Sequence, residues 1–474
     1  MSAIDHNDAD AQFSAAQTLW RQNRVAESEA LLRRLVQHLP QRDDAAMLLA
    51  EVLRSQGRLN AACHAVFSLC RARDFDGEIS FRGARFIQEC QRQSLADGIC
   101  DVVVARGRAS PALLAVAGNI ARELGDFEKA RARYLAALNA GVDLNVWHVL
   151  GALAHTHRYT DPHDADFARF TAQFNNTAYS ARSRAATGFG LAKACDDVGD
   201  RNQAAALLRE ANALVRSDLP WSDVAWRTFV NSRKTERVVR LRNGLHESFI
   251  PVFVVGLPRS GTTLTAAQLA RSAAARDRGE LRTLRFVADT LINGRHTGNS
   301  AAITEAAQLY FTHSRQDDAS ATWYIDQDPL NFRYLHLIDA MFPQARVIVC
   351  QRNRRDTALS LWSQDFAHTD CAFAYDFASI AGYVEGYESL MRHWERSLAI
   401  PMHTMRYEDL VADPQATLAQ LRKFIGAAEV EGTHAAAPIA SASVWQARQP
   451  IYATSVGRWR GYSSCIPELA EFPE

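Results

Sequence analysis

The run Leu257-Pro258-Arg259-Ser260-Gly261-Thr262-Thr263-Leu264 follows a short apolar, β-branched stretch, Pro251 to Gly256, and precedes residues that suit a helix. Strand, glycine-bearing loop and helix in that order suit an anion, because loop amides and the helix N-terminus point at it. The spacing Gly256-x4-Gly261 is that of a nucleoside-triphosphate loop, yet Thr262 and Thr263 replace its Lys-Ser/Thr pair, and the basic Arg259 lies inside the loop. The next convincing apolar strand, Ala345 to Cys350, runs into Gln351-Arg352, so its tip carries a cation where a Mg²⁺-dependent phosphotransferase needs a carboxylate. Ser360 follows eight residues after Arg352, on the first turns of the next helix, where both reach one anion. A sulfuryl group in transfer carries less negative charge than a phosphoryl group, and arginine, hydroxyls and amides manage it without a metal. The loop chemistry favours sulfate over phosphate.

Further segments follow in order: Gly279-Glu280-Leu281-Arg282, Asp328-Pro329-Leu330-Asn331-Phe332, the run from Arg346 to Trp362, Arg406-Tyr407-Glu408-Asp409-Leu410, and Ala442 to Trp459. Together with the loop they resemble the nucleotide-dependent sulfotransferases over 252–462. The resemblance is greatest to the tyrosylprotein sulfotransferases and to bacterial proteins that join tetratricopeptide repeats to such a domain. It implies an α/β, P-loop-like fold with a parallel sheet, and 3′-phosphoadenosine 5′-phosphosulfate as donor, leaving 3′,5′-adenosine bisphosphate, with no metal.

The resemblance also implies roles for individual residues. Arg259, Ser260, Gly261, Thr262, Thr263 and Leu264 match the loop that holds the 5′-phosphosulfate, with Arg259 serving catalysis too. Arg352 and Ser360 match the pair that holds the 3′-phosphate, and Tyr407 a tyrosine beside the adenine. Arg354 and Arg355 read as solvated or salt-bridged neighbours. Glu280 lies seventeen residues beyond Thr263, the family's spacing to its catalytic glutamate, and a carboxylate base is what a hydroxyl acceptor requires. Arg282 matches an arginine facing the acceptor, able also to orient Glu280, and Ser443 a serine near the transferring group. Ser455, Gly457 and Arg458 resemble the segment that closes over the nucleotide. One position departs: Gln327 stands where the family has a lysine assisting the leaving oxygen, and a neutral donor there forfeits about 1–2 kcal/mol of transition-state stabilisation. The family's SHP segment is replaced by Ser272-Ala273-Ala274-Ala275, which alters the acceptor side.

The N-terminal half must present a different architecture. A turn residue followed by a polar stretch and small residues recurs at Asn23, Gly57, Gly125 and Gly199, with intervals of 34, 68 and 74 residues. A 34-residue period of paired helices is the tetratricopeptide signature, and glycine or asparagine accepts the positive φ of the turn. Degenerate repeats are phased near Gln91 and Tyr159, and the last interval carries an insertion near Asp161. The expected partition is an all-α repeat solenoid over 11–217, of about six repeats, a helical connector over 218–249, and the sulfotransferase domain over 250–474. Such arrays form a concave face that holds an extended peptide, or else scaffold or dimerise the enzyme.

Composition sets the bounds. The 474 residues exceed one ordinary core, 47% are hydrophobic, and 53 acids balance 53 bases, which gives no electrostatic reason for nucleic acid or an anionic membrane as partner. The acidic start lacks the apolar core of a signal peptide, and the eight scattered cysteines read as reduced thiols of a cytoplasmic protein. Three functions compete: sulfuryl transfer to a hydroxyl or phenol such as peptide tyrosine; a nucleotide-binding scaffold with lapsed catalysis, suggested by Gln327, whose repeats recruit a partner; and a phosphotransferase, which the missing loop lysine disfavours.

Overall fold

The computed structural model describes residues 6–241, 249–272, 274–318, 320–366, 369–427 and 453–473. The chain clusters into two compact units that part between Asp143 and Leu144, inside the span expected for the repeats, with residues 315–319 clustering with the first.

The first unit is built from helices that pair in sequence order: α1 (His6–Arg21) with α2 (Val25–His38), α3 (Asp43–Ser55) with α4 (Leu59–Ala72), α5 (Gly77–Glu89) with α6 (Gln93–Ala105), and α7 (Pro111–Leu124) with α8 (Phe127–Asn139). The turn inside each pair holds one residue with positive φ: Asn23 (59°), Gly57 (70°), Gln91 (58°) and Gly125 (83°). After each, the next amide reaches back to the preceding helix: Arg24 to Leu19, Arg58 to Leu53, Arg92 to Ile87 and Asp126 to Ala121. This is a Schellman closure recurring at the 34-residue interval, and it is what the glycines announce in sequence. Gln91 fills the same conformation without being glycine, so the degenerate repeat keeps the turn.

The second unit opens with α9 (Leu144–Trp147), α10 (Val149–Leu153), α11 (Ala165–Asn175), α12 (Ala181–Asp197), α13 (Arg201–Asp218) and α14 (Asp223–Thr235). The period breaks here, with an irregular stretch over 154–164 where the insertion was expected. In the expected connector, α14 packs on α20 (Phe377–Ser397): Trp226 is buried and stacks on Tyr383 with ring centroids 4.4 Å apart.

A parallel sheet follows, with β1 (Ile250–Gly256), β2 (Ala275–Asp277), β3 (Trp323–Asp326), β4 (Arg346–Gln351) and β5 (Met402–Arg406) in the order β2-β3-β1-β4-β5. Gly256 aligns with Cys350, so β1 and β4 end side by side. The chain leaves β1 through α15 (Thr262–Leu269) towards β2 and leaves β4 through α19 (Arg354–Trp362) towards β5, which makes the β1/β4 border the switch point where such sheets hold ligands. Between them lie α16 (Thr283–Asn293), α17 (Ser300–Arg315) and α18 (Leu335–Met341), and after β5 come α21 (Tyr407–Ala412) and α22 (Pro414–Ile425). Val252, Val254, Ile325, Ile348 and Met405 pack with Ala266 and Leu269 of α15 and Leu418 and Leu421 of α22. Runs apolar at every position, as in β1, are what a sheet buried on both faces demands.

Candidate functional site

Every strand delivers residues to the site from its carboxyl end: 257–261 after β1, 278–282 after β2, Gln327 and Asp328 after β3, Arg352 after β4 and Tyr407 after β5. The loop after β1 is tightly shaped. Arg259 has φ of 72°, a costly conformation for a residue with a side chain. Gly261 has φ of 102° and caps α15; a Cβ there would lie 2.6 Å from the Tyr407 ring. A Cβ at Gly256 would lie 2.5 Å from the Cys350 carbonyl oxygen, so only glycine lets β1 and β4 close at this point. The amides that open α15, from Thr262 through Leu264, lack intrahelical acceptors. Thr262 and Thr263 are buried, whereas the Leu264 side chain packs against the core below the sheet, so any ligand contact from Leu264 is through its backbone.

Arg259 links the loop to the end of β4. Its Nε donates to Ser360 Oγ at 3.1 Å, and its carbonyl accepts from Arg352 Nη1 at 3.1 Å. Arg352 also donates through Nη2 to the Ser455 carbonyl at 2.7 Å and stands 4.9 Å over the Tyr407 ring, whose hydroxyl meets Ser455 Oγ at 2.7 Å. The five residues Arg259, Arg352, Ser360, Tyr407 and Ser455 are thus brought together. Arg354 pairs with Glu388, and Arg355 donates to the Phe472 carbonyl and lies over Trp459.

Three observations show that this half of the site suits an anion. Arg352 pairs with no carboxylate among the described residues, and burial lowers its guanidinium from its ordinary value. Its Nε is buried without a hydrogen-bond partner. Ser260 Oγ, in the loop, is likewise buried and unpartnered. Each orphan costs about 1–3 kcal/mol, which a bound phosphate or sulfate oxygen would relieve. Arg352 and the loop amides are the groups that could hold such an anion.

The C-terminal segment reaches this half through a residue that the sequence reading missed. Asp356, buried in the first turn of α19, accepts from the Gly457 amide at 2.6 Å and the Trp459 amide at 3.0 Å. Its only sequence signal is the position one turn beyond Arg352. Arg458, expected in the segment that closes over the nucleotide, donates through its guanidinium to Asp196 of α12 at 2.8 Å, and Tyr462 donates to the same carboxylate. Ser443 lies outside the described residues.

The other half is acidic. Glu280 is exposed to solvent yet surrounded by protein, and burial together with Asp328, Asp326 and Asp277 pushes its carboxyl up to about 8, opposed by Arg282. Arg282 is exposed and exerts this influence without a hydrogen bond to Glu280, in contrast to the orienting contact expected. Burial first, then Asp328, pushes buried Asp326 up to about 7, and burial pushes Asp277 up to about 6. Gln327 is 4% exposed; its backbone amide donates to the Gly279 carbonyl at 2.9 Å, while its side-chain Oε1 is buried without a partner. The acids around Glu280 also escaped the sequence reading, since only the pairing of β2 with β3 brings them together. Among the described residues, no group of three His, Cys, Asp or Glu is set to hold a metal ion, and no helix is long and apolar enough to cross a membrane.

The chain is similar to several known proteins. An uncharacterized protein of Aquifex aeolicus is 30% identical over 324 residues, or 63% of this chain; the chain spans 42% of that relative's length. Among solved structures, a sulfotransferase domain from the curacin biosynthetic pathway covers 50% of this chain and all of its own, at 17% identity and a TM-score of 0.33. A sulfotransferase from Mycobacterium tuberculosis H37Rv covers 68% of this chain and 98% of its own, at 17% identity and a TM-score of 0.27. Residues 251–431, the sheet with its loop and both halves of its carboxyl edge, match the model of the sulfotransferase family and constitute a domain of that family.

Proposed function

We propose that the protein transfers a sulfuryl group from 3′-phosphoadenosine 5′-phosphosulfate to a hydroxyl or phenol acceptor, with Glu280 as general base. The observation that carries this reading is the juxtaposition of buried, unpartnered donors on Arg352 and Ser260, at the ends of β1 and β4, with a solvent-reachable carboxyl after β2. When bound, the donor supplies the sulfur centre and a phosphate leaving oxygen, so one S–O bond forms to the acceptor as the bridging S–O bond breaks.

The chain's own groups do the rest. The amides of Thr262 to Leu264 and the Ser260 hydroxyl hold the 5′ side, and Arg259 offers a cation to the bridging oxygen. Arg352 and Ser360 select the 3′-phosphate. Tyr407 flanks the adenine, and Asp356 keeps Gly457 and Trp459 against this edge. Ionised Glu280 takes the acceptor proton, while Arg282 borders the acceptor's approach. A carboxylate base serves phenols and alcohols alike, so peptide tyrosine, sugar hydroxyls and lipid head groups all belong in an acceptor screen.

Titration calorimetry with 3′,5′-adenosine bisphosphate, against ADP and ATP-Mg²⁺, tests the donor class. Selective binding of the bisphosphate supports the reading; preference for ATP-Mg²⁺, or no binding, refutes it. A second reading, a nucleotide-binding scaffold with lapsed catalysis, draws on the neutral Gln327 side chain, whose Oε1 is buried without a partner. Bisphosphate binding without transfer to any acceptor would favour it.

A further inference from the structure

Glu280 is the proposed base, yet no hydrogen bond to its carboxyl is among the influences acting on it. Its position is therefore set by its backbone and by whatever anchors the loop 278–282. Sheet-like bonds hold one side of that loop: the Arg278 amide donates to the Ile325 carbonyl at 2.8 Å, and the Gln327 amide to the Gly279 carbonyl at 2.9 Å. The residue after Glu280 is held differently. The Leu281 amide donates to Asp326 Oδ1 at 3.3 Å, and the same oxygen accepts from the Asp328 amide at 3.1 Å. The other oxygen, Oδ2, accepts from the Tyr310 hydroxyl at 2.9 Å. Tyr310 is 1% exposed, and its ring packs 5.5 Å from Phe253 of β1 and 5.3 Å from Phe342.

We propose that Asp326 is the positioning residue of the proposed base, its buried carboxyl joining the Glu280–Leu281 loop, the start of the Asp328 turn and the Tyr310 hydroxyl of α17 in one node. This rests on the reading of Glu280 as the base. A carboxylate at the end of β3 accepts from both flanking loops at once, a task no backbone carbonyl there can share. Tyr310 fixes the carboxyl's orientation because its own ring is locked in the core. The node also brings a charge close to Glu280. The groups facing Glu280 are Asp326 and Asp328 after β3, Asp277 of β2, Arg282 at the start of α16, and Cys371, whose thiol Glu280 in turn helps to raise. Replacing the Asp326 charge by an amide removes one repulsion and leaves the acceptor oxygen for the two amides.

The test uses the full chain in two measurements, amide hydrogen exchange and a carboxyl carbon titration of ¹³C-labelled glutamate, with Glu280→Gln assigning the resonance. Asp326→Ala should speed exchange at the Leu281 and Asp328 amides about tenfold while β4 is unaffected. Asp326→Asn should restore protection but move the Glu280 titration down by about half a pH unit or more. Unchanged exchange in Asp326→Ala, or an unmoved titration in Asp326→Asn, would overturn the proposal. If Asp326→Ala exchanges everywhere, Asp326→Asn and Tyr310→Phe decide, since both keep the shape of the core; Tyr310→Phe should loosen the same two amides and no others. Transfer activity persisting in Glu280→Gln would instead sink the base assignment and leave the node standing.

Discussion

The carboxyl edge of the sheet has two halves of opposite character. At β1, β4 and β5, arginines and amides lie near one another with buried donors unanswered, so this half awaits a negative charge. At β2 and β3, the acids Asp277, Glu280, Asp326 and Asp328 crowd together and hold their protons more tightly than usual. On the proposed reading the first half binds an anion and the second accepts a proton, which is what transfer of a charged group to a hydroxyl needs. The difference also shows that charge balance across the whole chain, which is even, hides a strong local division.

The sharpest break of this comparison is Glu280→Gln, which keeps the shape of the acidic half and removes its proposed proton acceptor. Transfer should fall by roughly 10²–10⁴-fold while bisphosphate affinity by calorimetry barely changes. Normal turnover would remove Glu280 from the mechanism. In the opposite half, Arg352→Ala should weaken 3′-phosphorylated nucleotide by roughly 10–100-fold and its 3′-dephospho analogue far less. Equal losses would refute the 3′-phosphate assignment. Blurring the division should help the chemistry: Gln327→Lys places a cation beside the acids and should raise turnover about 5–30-fold. An unchanged or lower rate would mean that another group already does this work.

The pH dependence of the acidic half separates its two duties. Glu280 must be ionised to accept a proton, so kcat/KM should climb as pH rises through about 8. Asp326 has the opposite effect on stability. Its carboxyl is raised from 3.8 to about 7 in the fold, so its contribution is full below pH 3.8 and is lost as pH rises through about 7. The melting temperature of Asp326→Asn relative to the parent should therefore increase between pH 5 and pH 8. A difference that stays constant or shrinks over that range would contradict the raised Asp326.

Much of the anion-binding half was legible because glycine and proline punctuate it. Gly256 and Gly261 bracket the loop, apolar runs mark β1 and β4, and Arg352 follows directly on a strand end. The turns at Asn23, Gly57 and Gly125 fixed a period that located Gln91, whose residue type alone would not have announced a left-handed turn. The acidic half was largely illegible beyond Glu280. Asp277 and Asp326 lie far apart in sequence, and each alone looks like an ordinary surface acid; only the pairing of β2 with β3 makes them neighbours. Asp356 and Asp196 escaped for a related reason, since their partners in 457–462 come from distant sequence. Arg458 could not be read as the partner of Asp196 without the packing of α12.

The hydrogen bonds that close the anion-binding half join residues 93, 101 and 103 positions apart: Arg352 with Arg259, Arg259 with Ser360, and Arg352 with Ser455. On a ribosome, the loop after β1 emerges long before any of these partners. A nascent chain that ends between Ser360 and Trp459 therefore carries the cradle without the Asp356-anchored segment that completes it. Contacts of such span also form slowly, since their loops must close first. The proposed nucleotide binding should accordingly be among the last properties this chain acquires during its synthesis.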